Sequence, residues 1–285
     1  MAVALRSALR PLEVLHEESG LADFGIPDGL ATLYGGPLGF TEPRIFANFV
    51  SSLDGVVAIP GQLQSSHLIA GASEADRFVM GLLRACADAV LVGAGTLRAS
   101  PRSRWTAEAA YPPAVQLYAE LRRQRGRPPE PTLAVLSGSG SIACEHPGLS
   151  ERSLVLTSDF GAARLGRSLP RSATIVPIGC TPALEVAQAV KALRAGGHEL
   201  ILCEGGPTVL GSLLESTLVD ELFLTMSPVL AGRVSQRPRP GLLQDAEFLP
   251  TRSIAGQLLS LRRSQSHLFA RYALGRLRPV GRAFS

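Results

Sequence analysis

Leu200-Ile-Leu-Cys-Glu-Gly-Gly-Pro-Thr-Val-Leu-Gly-Ser-Leu-Leu214 is the stretch on which the reading of the fold turns. Leu200 to Cys203 is an apolar run of buried-strand length, and Glu204-Gly205-Gly206 breaks it. Pro207 and Thr208 then open a helical pattern that puts Val209, Leu210, Leu213 and Leu214 on one face. Proline suits a first helical turn, where its missing N–H costs nothing. The stretch therefore reads as strand, glycine turn, helix. Two glycines allow close approach of the backbone, and the free N–H groups of the helix start favour an anion such as a phosphate. An ordinary tight turn that binds nothing fits this stretch equally well.

Working outward, the 285-residue chain is long enough for a full core, with 46% hydrophobic and 18% charged residues. Its net charge of +4 is mild and spread along the chain, so no nucleic-acid partner is expected. Lys191 is the sole lysine, which excludes a Gly-Lys-Ser/Thr phosphate loop. Cys86, Cys144, Cys180 and Cys203 form no CxxC pair. They read as buried free thiols of a reducing compartment, and no metal is expected. Arg6, Arg10 and Glu13 interrupt the first residues, and no apolar run could span a bilayer. A cytoplasmic protein with no membrane partner is the expectation.

Residues 1–42 read as an extension that packs on the main domain. Its first ten or so residues are expected to be disordered, and a short helix is expected near Gly29–Tyr34. Arg44–Val50 is a buried strand followed by the polar cluster Ser51-Ser52-Leu53-Asp54-Gly55. Such a cluster lies at a strand's carboxyl end, where ligands bind in open α/β sheets. Ser73 is placed to cap a helix to about Ala87, with Asp76 and Arg77 in its first turns. Ala87–Val92 is a strand that ends in Gly93-Ala94-Gly95-Thr96. Residues 98–131, rich in Arg and Pro, read as an exposed insertion of variable order with a helix over Ala114–Gln124.

Thr132–Leu136, Ser153–Leu156 and Ala173–Ile178 read as further strands. The first ends in Ser137-Gly138-Ser139-Gly140-Ser141 and the second in Thr157-Ser158. Pro182–Arg194 is a helix, and Leu218–Met226, Leu258–Arg262 and Leu268–Tyr272 close the chain as strands. The order implies an α/β fold with a mainly parallel sheet and antiparallel C-terminal strands.

Together, Ser51-Ser-Leu-Asp-Gly55, Asp88-Ala-Val-Leu-Val-Gly-Ala-Gly-Thr96, Glu204-Gly-Gly-Pro-Thr208 and Leu218-Val-Asp-Glu-Leu222 with Pro228 resemble one family. It is the reductase domain of the bacterial riboflavin deaminase-reductases, similar in fold to dihydrofolate reductase. The resemblance implies a three-layer αβα domain over residues 43–275, a tail over 276–285, and a homodimer. It also implies an NADPH-dependent oxidoreductase that reduces 5-amino-6-(5-phosphoribosylamino)uracil to its ribityl product. Gly93, Gly95, Thr96, Gly205, Gly206, Pro207 and Thr208 would hold the cofactor, with Ser137, Ser139 and then Thr157 as candidates for the 2′-phosphate. Asp54 and Glu204 would be catalytic, and Asn48, Ser52, Asp76 and Arg77 would line the substrate side.

The chain also departs from that family. Asn48 stands where it usually has Lys, Gly81 where a His precedes Leu-Arg, and Ala99-Ser100-Pro101 where an acidic pair precedes proline. No His-x-Glu with Pro-Cys-x-x-Cys is present, so the chain resembles a stand-alone reductase. Asp76 leaves a second substrate class open. Dihydrofolate reductases place a carboxylate on the first helix against a pteridine, and the same position also suits a charge that favours a helix start. A nucleotide-binding protein without turnover is the third alternative.

Overall fold

The structure is a computed structural model, described for residues 9–280. The expectation of disorder at the N-terminus falls largely on residues 1–8, outside the described residues. Twelve strands are present among those described: β1 (Glu13–Glu17), β2 (Arg44–Ser51), β3 (Ala89–Gly93), β4 (Thr132–Leu136), β5 (Ser153–Ser158), β6 (Ala173–Gly179), β7 (Leu200–Cys203), β8 (Glu221–Met226), β9 (Arg252–Ser253), β10 (Gly256–Ser264), β11 (His267–Leu274) and β12 (Arg278–Pro279). The helices are α1 (Asp28–Tyr34), α2 (Ser65–Ile69), α3 (Glu74–Cys86), α4 (Ala94–Ala99), α5 (Ala107–Ala110), α6 (Val115–Gln124), α7 (Asp159–Leu165), α8 (Val186–Ala195) and α9 (Pro207–Glu215).

Ten strands form one sheet in the order β1-β10-β11-β8-β2-β7-β3-β4-β5-β6. From β8 to β6 all neighbours are parallel, and β1, β10 and β11 are antiparallel to their neighbours. Apolar clusters cover both faces. One carries α1, α3 and α6 through Leu30, Phe78, Leu82 and Leu121, and the other carries α8 and α9 through Val190, Leu193, Leu210 and Leu213. A parallel sheet must be buried on both faces, which is why β3 and β7 are continuous apolar runs. The fold is three-layer αβα. In it β7, late in the chain, inserts between β2 and β3. The carboxyl ends of these three central strands meet at the point where strand order reverses.

Two sequence expectations change. Residues 98–131 are not an exposed insertion. Trp105, Tyr111, Tyr118 and Leu121 are buried in the core, and Tyr118 donates to the Phe78 carbonyl at 2.9 Å. The Arg122 guanidinium caps the carboxyl end of α3 by donating to the carbonyls of Arg84, Ala85 and Ala87. The cysteines are free, but Cys180 is exposed. The 9–42 segment does more than cover a surface. Its β1 extends the sheet, and Leu12, Leu30, Leu38 and Phe40 enter the core.

Candidate active site

A cleft of about 910 Å³ opens over the carboxyl ends of β2, β3 and β7. Its first wall is built by two glycine turns. Gly205 sits so close to β3 that a β-carbon there would lie 2.9 Å from the Gly93 amide nitrogen. Gly206 has φ +47°, a left-handed geometry that favours glycine, and it caps α9 without any side-chain hydrogen bond. Pro207 has no N–H to lose, so the amides of Thr208 and Val209 are left as the free donors of the first turn. A β-carbon on Gly206 would meet the Thr96 hydroxyl at 3.0 Å, so the two turns touch. Gly95 faces open space, with nothing within 4 Å of where its β-carbon would be. Gly93, Gly95, Thr96, Gly205, Gly206, Pro207 and Thr208 all line the cleft. The cradle has close backbone approach, uncapped helix donors and no side chain filling it, and so it fits a dinucleotide's phosphates.

The second wall is α3. Ser73 caps it by accepting from the Asp76 amide at 3.3 Å. Asp76, Met80 and Arg84 then recur every four residues, which stacks them on one face, and all three line the cleft. Asp76 is 7% exposed. Burial pushes its carboxyl above the usual range, against the lowering influence of the nearby Thr225, His267 and His67, while Glu204 adds to the rise. Ser73 spends its own N–H on the Ala70 carbonyl, so the Asp76 side chain is not engaged in a reciprocal cap.

Arg77 donates through Nε to the Ala110 carbonyl at 2.9 Å and lines the cleft. Gly81 lies on the Tyr118 ring: a β-carbon there would be 2.7 Å from the phenol oxygen. Asn48, half-buried on β2, faces the cleft from the floor.

Glu204 is held in a two-point ion pair. Arg84 Nε reaches Oε1 at 3.0 Å and an Arg84 terminal nitrogen reaches Oε2 at 2.6 Å, with both side chains nearly buried. Arg84 also donates to the carbonyls of Arg104 and Thr106 at 3.3 and 3.2 Å, so it ties the floor to the 98–114 segment. Nothing in the sequence reading assigned Arg84 a role. The available signal was a charged residue on the buried face of an amphipathic helix, which is rarely tolerated without a partner.

Five expected site residues are not brought to the cleft. The Asp54 carboxylate accepts from the Ser52 hydroxyl at 2.6 Å and from the amides of Ala231 and Gly232 at 2.9 and 2.8 Å. These bonds, the Ser52 hydroxyl first, hold its pKa down to about 2. The Ser52 hydroxyl in turn accepts from the Val56 amide. The pair fastens the loop after β8 and does not line the cleft. Thr157 is fully buried and gives its hydroxyl to the Ser137 carbonyl at 2.6 Å. Ser137 is buried, and Ser139 accepts from the Ser141 amide within its own turn. Only Ser137 of the turn is buried, Ser139 being half-buried and Ser141 exposed, and Leu136 is what that strand contributes to the cleft.

Among the described residues no cluster of His, Cys, Asp and Glu could hold a metal, and no helix is long and apolar enough to cross a membrane. Residues 43–265 match the model of the RibD C-terminal domain. The chain is 27% identical over 210 residues to the 2,5-diamino-6-ribosylamino-4(3H)-pyrimidinone 5′-phosphate reductase of Archaeoglobus fulgidus, covering 73% of this chain and 89% of that one. It is similar in structure to a pyrimidine reductase-like protein of Corynebacterium diphtheriae, with TM-score 0.62, 25% identity, and 82% and 92% of the two chains covered. It also shares the fold of Acinetobacter baumannii RibD, with TM-score 0.62, 18% identity, and 86% of this chain against 60% of that one.

Proposed function

The chain belongs to the RibD C-terminal domain family, and from that premise we propose that it is an NADPH-dependent reductase of the riboflavin-pathway type. Its substrate is 5-amino-6-(5-phosphoribosylamino)uracil or the 2,5-diamino pyrimidinone that its archaeal relative is named for, and its product is the ribityl compound. The observation that carries this reading is the junction of Gly205 and Gly206 with Gly93 and Thr96, which leaves an uncapped helix start facing a large cleft.

NADPH, held there, would supply the hydride chemistry for the opened ribosylamine C=N bond. The chain's own part is to position and to polarise. Thr208 and Val209 amides and the Thr96 hydroxyl would hold the phosphates. The Arg84–Glu204 pair would fix the floor beneath the ring, and Asn48, Asp76 and Arg77 would surround the pyrimidine and its sugar. In this reading Glu204 is a fixed carboxylate rather than a proton carrier, since both its oxygens are engaged by Arg84. A homodimer and a cytoplasmic location belong to the same proposal by family resemblance.

One observation favours a second reading. A buried carboxyl on the first long helix, facing the cleft, is also the arrangement suited to the amidine-like edge of a pteridine.

The test is NADPH oxidation by the purified protein offered the uracil, the diamino pyrimidinone and dihydrofolate in parallel. Turnover on either pyrimidine and not on dihydrofolate is the expected outcome. Turnover on dihydrofolate alone moves the assignment to the pteridine reading, and no oxidation with any of the three leaves a nucleotide-binding protein without turnover. Gly206→Val, which forces a branched side chain into φ +47° and toward Thr96, is expected to abolish NADPH binding in a fluorescence titration.

A further inference from the structure

The phosphate turn already carries an anion of the chain's own. Thr208, the second residue of α9, donates its hydroxyl hydrogen to Asp245 Oδ2 at 3.1 Å. Asp245 belongs to the segment that joins β8 to β9, and there the segment lies along α9. The Gln244 amide is 3.4 Å from the Pro207 carbonyl. A β-carbon on Gly211 would be 2.8 Å from the Gln244 carbonyl oxygen and 3.0 Å from the Ala246 β-carbon, so only a glycine one turn past Thr208 leaves room for this backbone. On either side of Asp245, half-buried Leu242, Leu243 and Phe248 pack on the cluster that holds Leu210 and Leu213. Asp245 itself has φ +58°, a left-handed geometry that aspartate adopts more readily than most residues. The exposed carboxylate is thus set at the start of α9 by the packing of its neighbours.

We propose that Asp245 competes with the cofactor's phosphates for the start of α9, and so sets how loosely the dinucleotide is held and how readily the spent cofactor leaves. This inference rests on the reductase reading above and goes beyond it. The Thr208 hydroxyl has one hydrogen to donate. While Asp245 accepts that hydrogen, the hydroxyl offers an incoming phosphate only lone pairs. A phosphate that takes the hydrogen leaves the carboxylate without its partner and beside a second anion. In both arrangements the carboxylate weakens the hold on the cofactor.

The place of the contact directs its effect to the cofactor. Thr208 and Gln244 line the cleft together with Gly206 and Pro207 of the phosphate turn. Gly206 gives α9 no side-chain cap and Pro207 has no N–H, so the amides of Thr208 and Val209 are the donors that a phosphate and a carboxylate would share. A helix start attracts both kinds of anion, and two of them there repel each other. An aspartate near a helix start also stabilises the helix by its charge alone. The two roles part in what removal of the charge does: a charge that serves only the helix leaves cofactor affinity as it was.

Sign and size follow from the electrostatics. Loss of the negative charge should tighten cofactor binding. A like-charge contact of a few ångströms at a wet surface corresponds to about 3–10-fold in affinity. Salt screens exposed charges over about 10 Å at 0.1 M, so the gain should shrink as ionic strength rises. Salt weakens phosphate binding in the native protein as well, and the ratio of native to variant isolates Asp245.

The experiment titrates the full chain with NADP⁺, in the native form and as Asp245→Asn, Asp245→Ala and Asp245→Glu. At low salt the Kd for NADP⁺ is expected to fall about 3–10-fold in Asp245→Ala. Asp245→Asn keeps an acceptor for the Thr208 hydrogen and loses only the charge, so its Kd should lie between those of Asp245→Ala and the native protein. Asp245→Glu keeps the charge and should stay within about twofold of native. Release of NADP⁺, followed by stopped flow, should slow in the two uncharged variants, and at high salt their advantage should shrink. Equal or weaker binding in both uncharged variants at low salt overturns the proposal, and so does an advantage that salt leaves unchanged. The two uncharged variants test it separately should one of them fail to fold. The readout is binding, so it stands whichever pyrimidine or pteridine is turned over. If neither the native protein nor any variant binds NADP⁺ at millimolar concentration, the phosphate-turn reading falls and takes this proposal with it, whereas binding without an Asp245 effect overturns this proposal alone.

Discussion

Asp54 sits in the most motif-like stretch of the amino-terminal half, yet its chemistry is that of a fastener. Its carboxylate takes three hydrogen bonds, two of them from the amides of Ala231 and Gly232 in the loop that follows β8. That loop runs on to Pro240 and Gln244, which line the cleft, and to Asp245, which accepts from the Thr208 hydroxyl at 3.1 Å. One carboxylate thus anchors the near end of a strap whose far end touches the phosphate turn. A carboxylate held down to about 2 contributes its anchoring above the ordinary carboxylate pKa of about 4 and loses it as pH falls through 2. Asp54→Asn presents an N–H₂ group where an acceptor is needed and leaves at least one of the two amides without its partner. Hydrogen exchange at Ala231 and Gly232 should therefore accelerate at neutral pH in this variant, whereas in the native protein the anchor is released only as pH falls through about 2. Unchanged protection would show that the loop is held by other contacts.

At the scale of elements, α3 and the 98–131 segment explain each other. Gly81 is an odd residue for the middle of a 13-residue helix, because glycine costs about 1 kcal/mol there relative to alanine. The Tyr118 ring fills the space a side chain would need. Gly81→Ala gains helix propensity but drives its methyl into that ring, and overpacking of this kind costs about 1–3 kcal/mol. The net expectation is destabilisation by about 1–2 kcal/mol, read in urea unfolding, and pairing Gly81→Ala with Tyr118→Phe should recover part of it. A more stable Gly81→Ala would mean that α6 can shift without cost. Composition hid this packing. Arginines and prolines read as solvent-facing, whereas Arg122 is spent on four carbonyls and Arg127 pairs with Asp88 at 2.7 Å. The strands from β2 to β8 and both glycine turns were legible because apolar runs and glycine breaks are local signals. The Asp76-Met80-Arg84 stripe was written in the sequence as well, but its meaning depends on Glu204, 120 residues away. The Ser137 and Thr157 hydroxyls were not legible for the same reason, since whether a hydroxyl faces solvent or a neighbouring carbonyl is set by packing.

The whole molecule raises the question of where its folding unit begins. The family match starts at residue 43 and the sequence places the domain boundary there, but the core does not respect that line. Leu12, Ile26, Leu30, Tyr34, Leu38 and Phe40 are all buried, and Phe40 stacks on Phe46 of β2 at 4.4 Å. β1 covers β10, whose other neighbour is β11, so without it β10 becomes an open edge with unpaired backbone groups. Arg262 on β10 is nearly inaccessible. It donates to the Tyr34 carbonyl at 2.8 Å, lies 4.0 Å from the centre of the Tyr34 ring and pairs with Glu17. Removing residues 1–42 takes all three partners away and leaves a guanidinium designed for burial facing exposed apolar surface. Each buried large apolar side chain contributes about 1.5–3 kcal/mol, so the loss of six, about 9–18 kcal/mol, is as large as the whole stability of an ordinary domain. β1 offers little warning of this in sequence, because Glu13 to His16 are exposed on both faces and no alternation marks them as a strand. A chain starting at residue 43 is expected to be insoluble, or to lack the cooperative melting transition of the full chain. A cooperative, soluble product from residue 43 would show that the first segment is a cover laid on a complete domain, and that Arg262 finds solvent when its partners are gone.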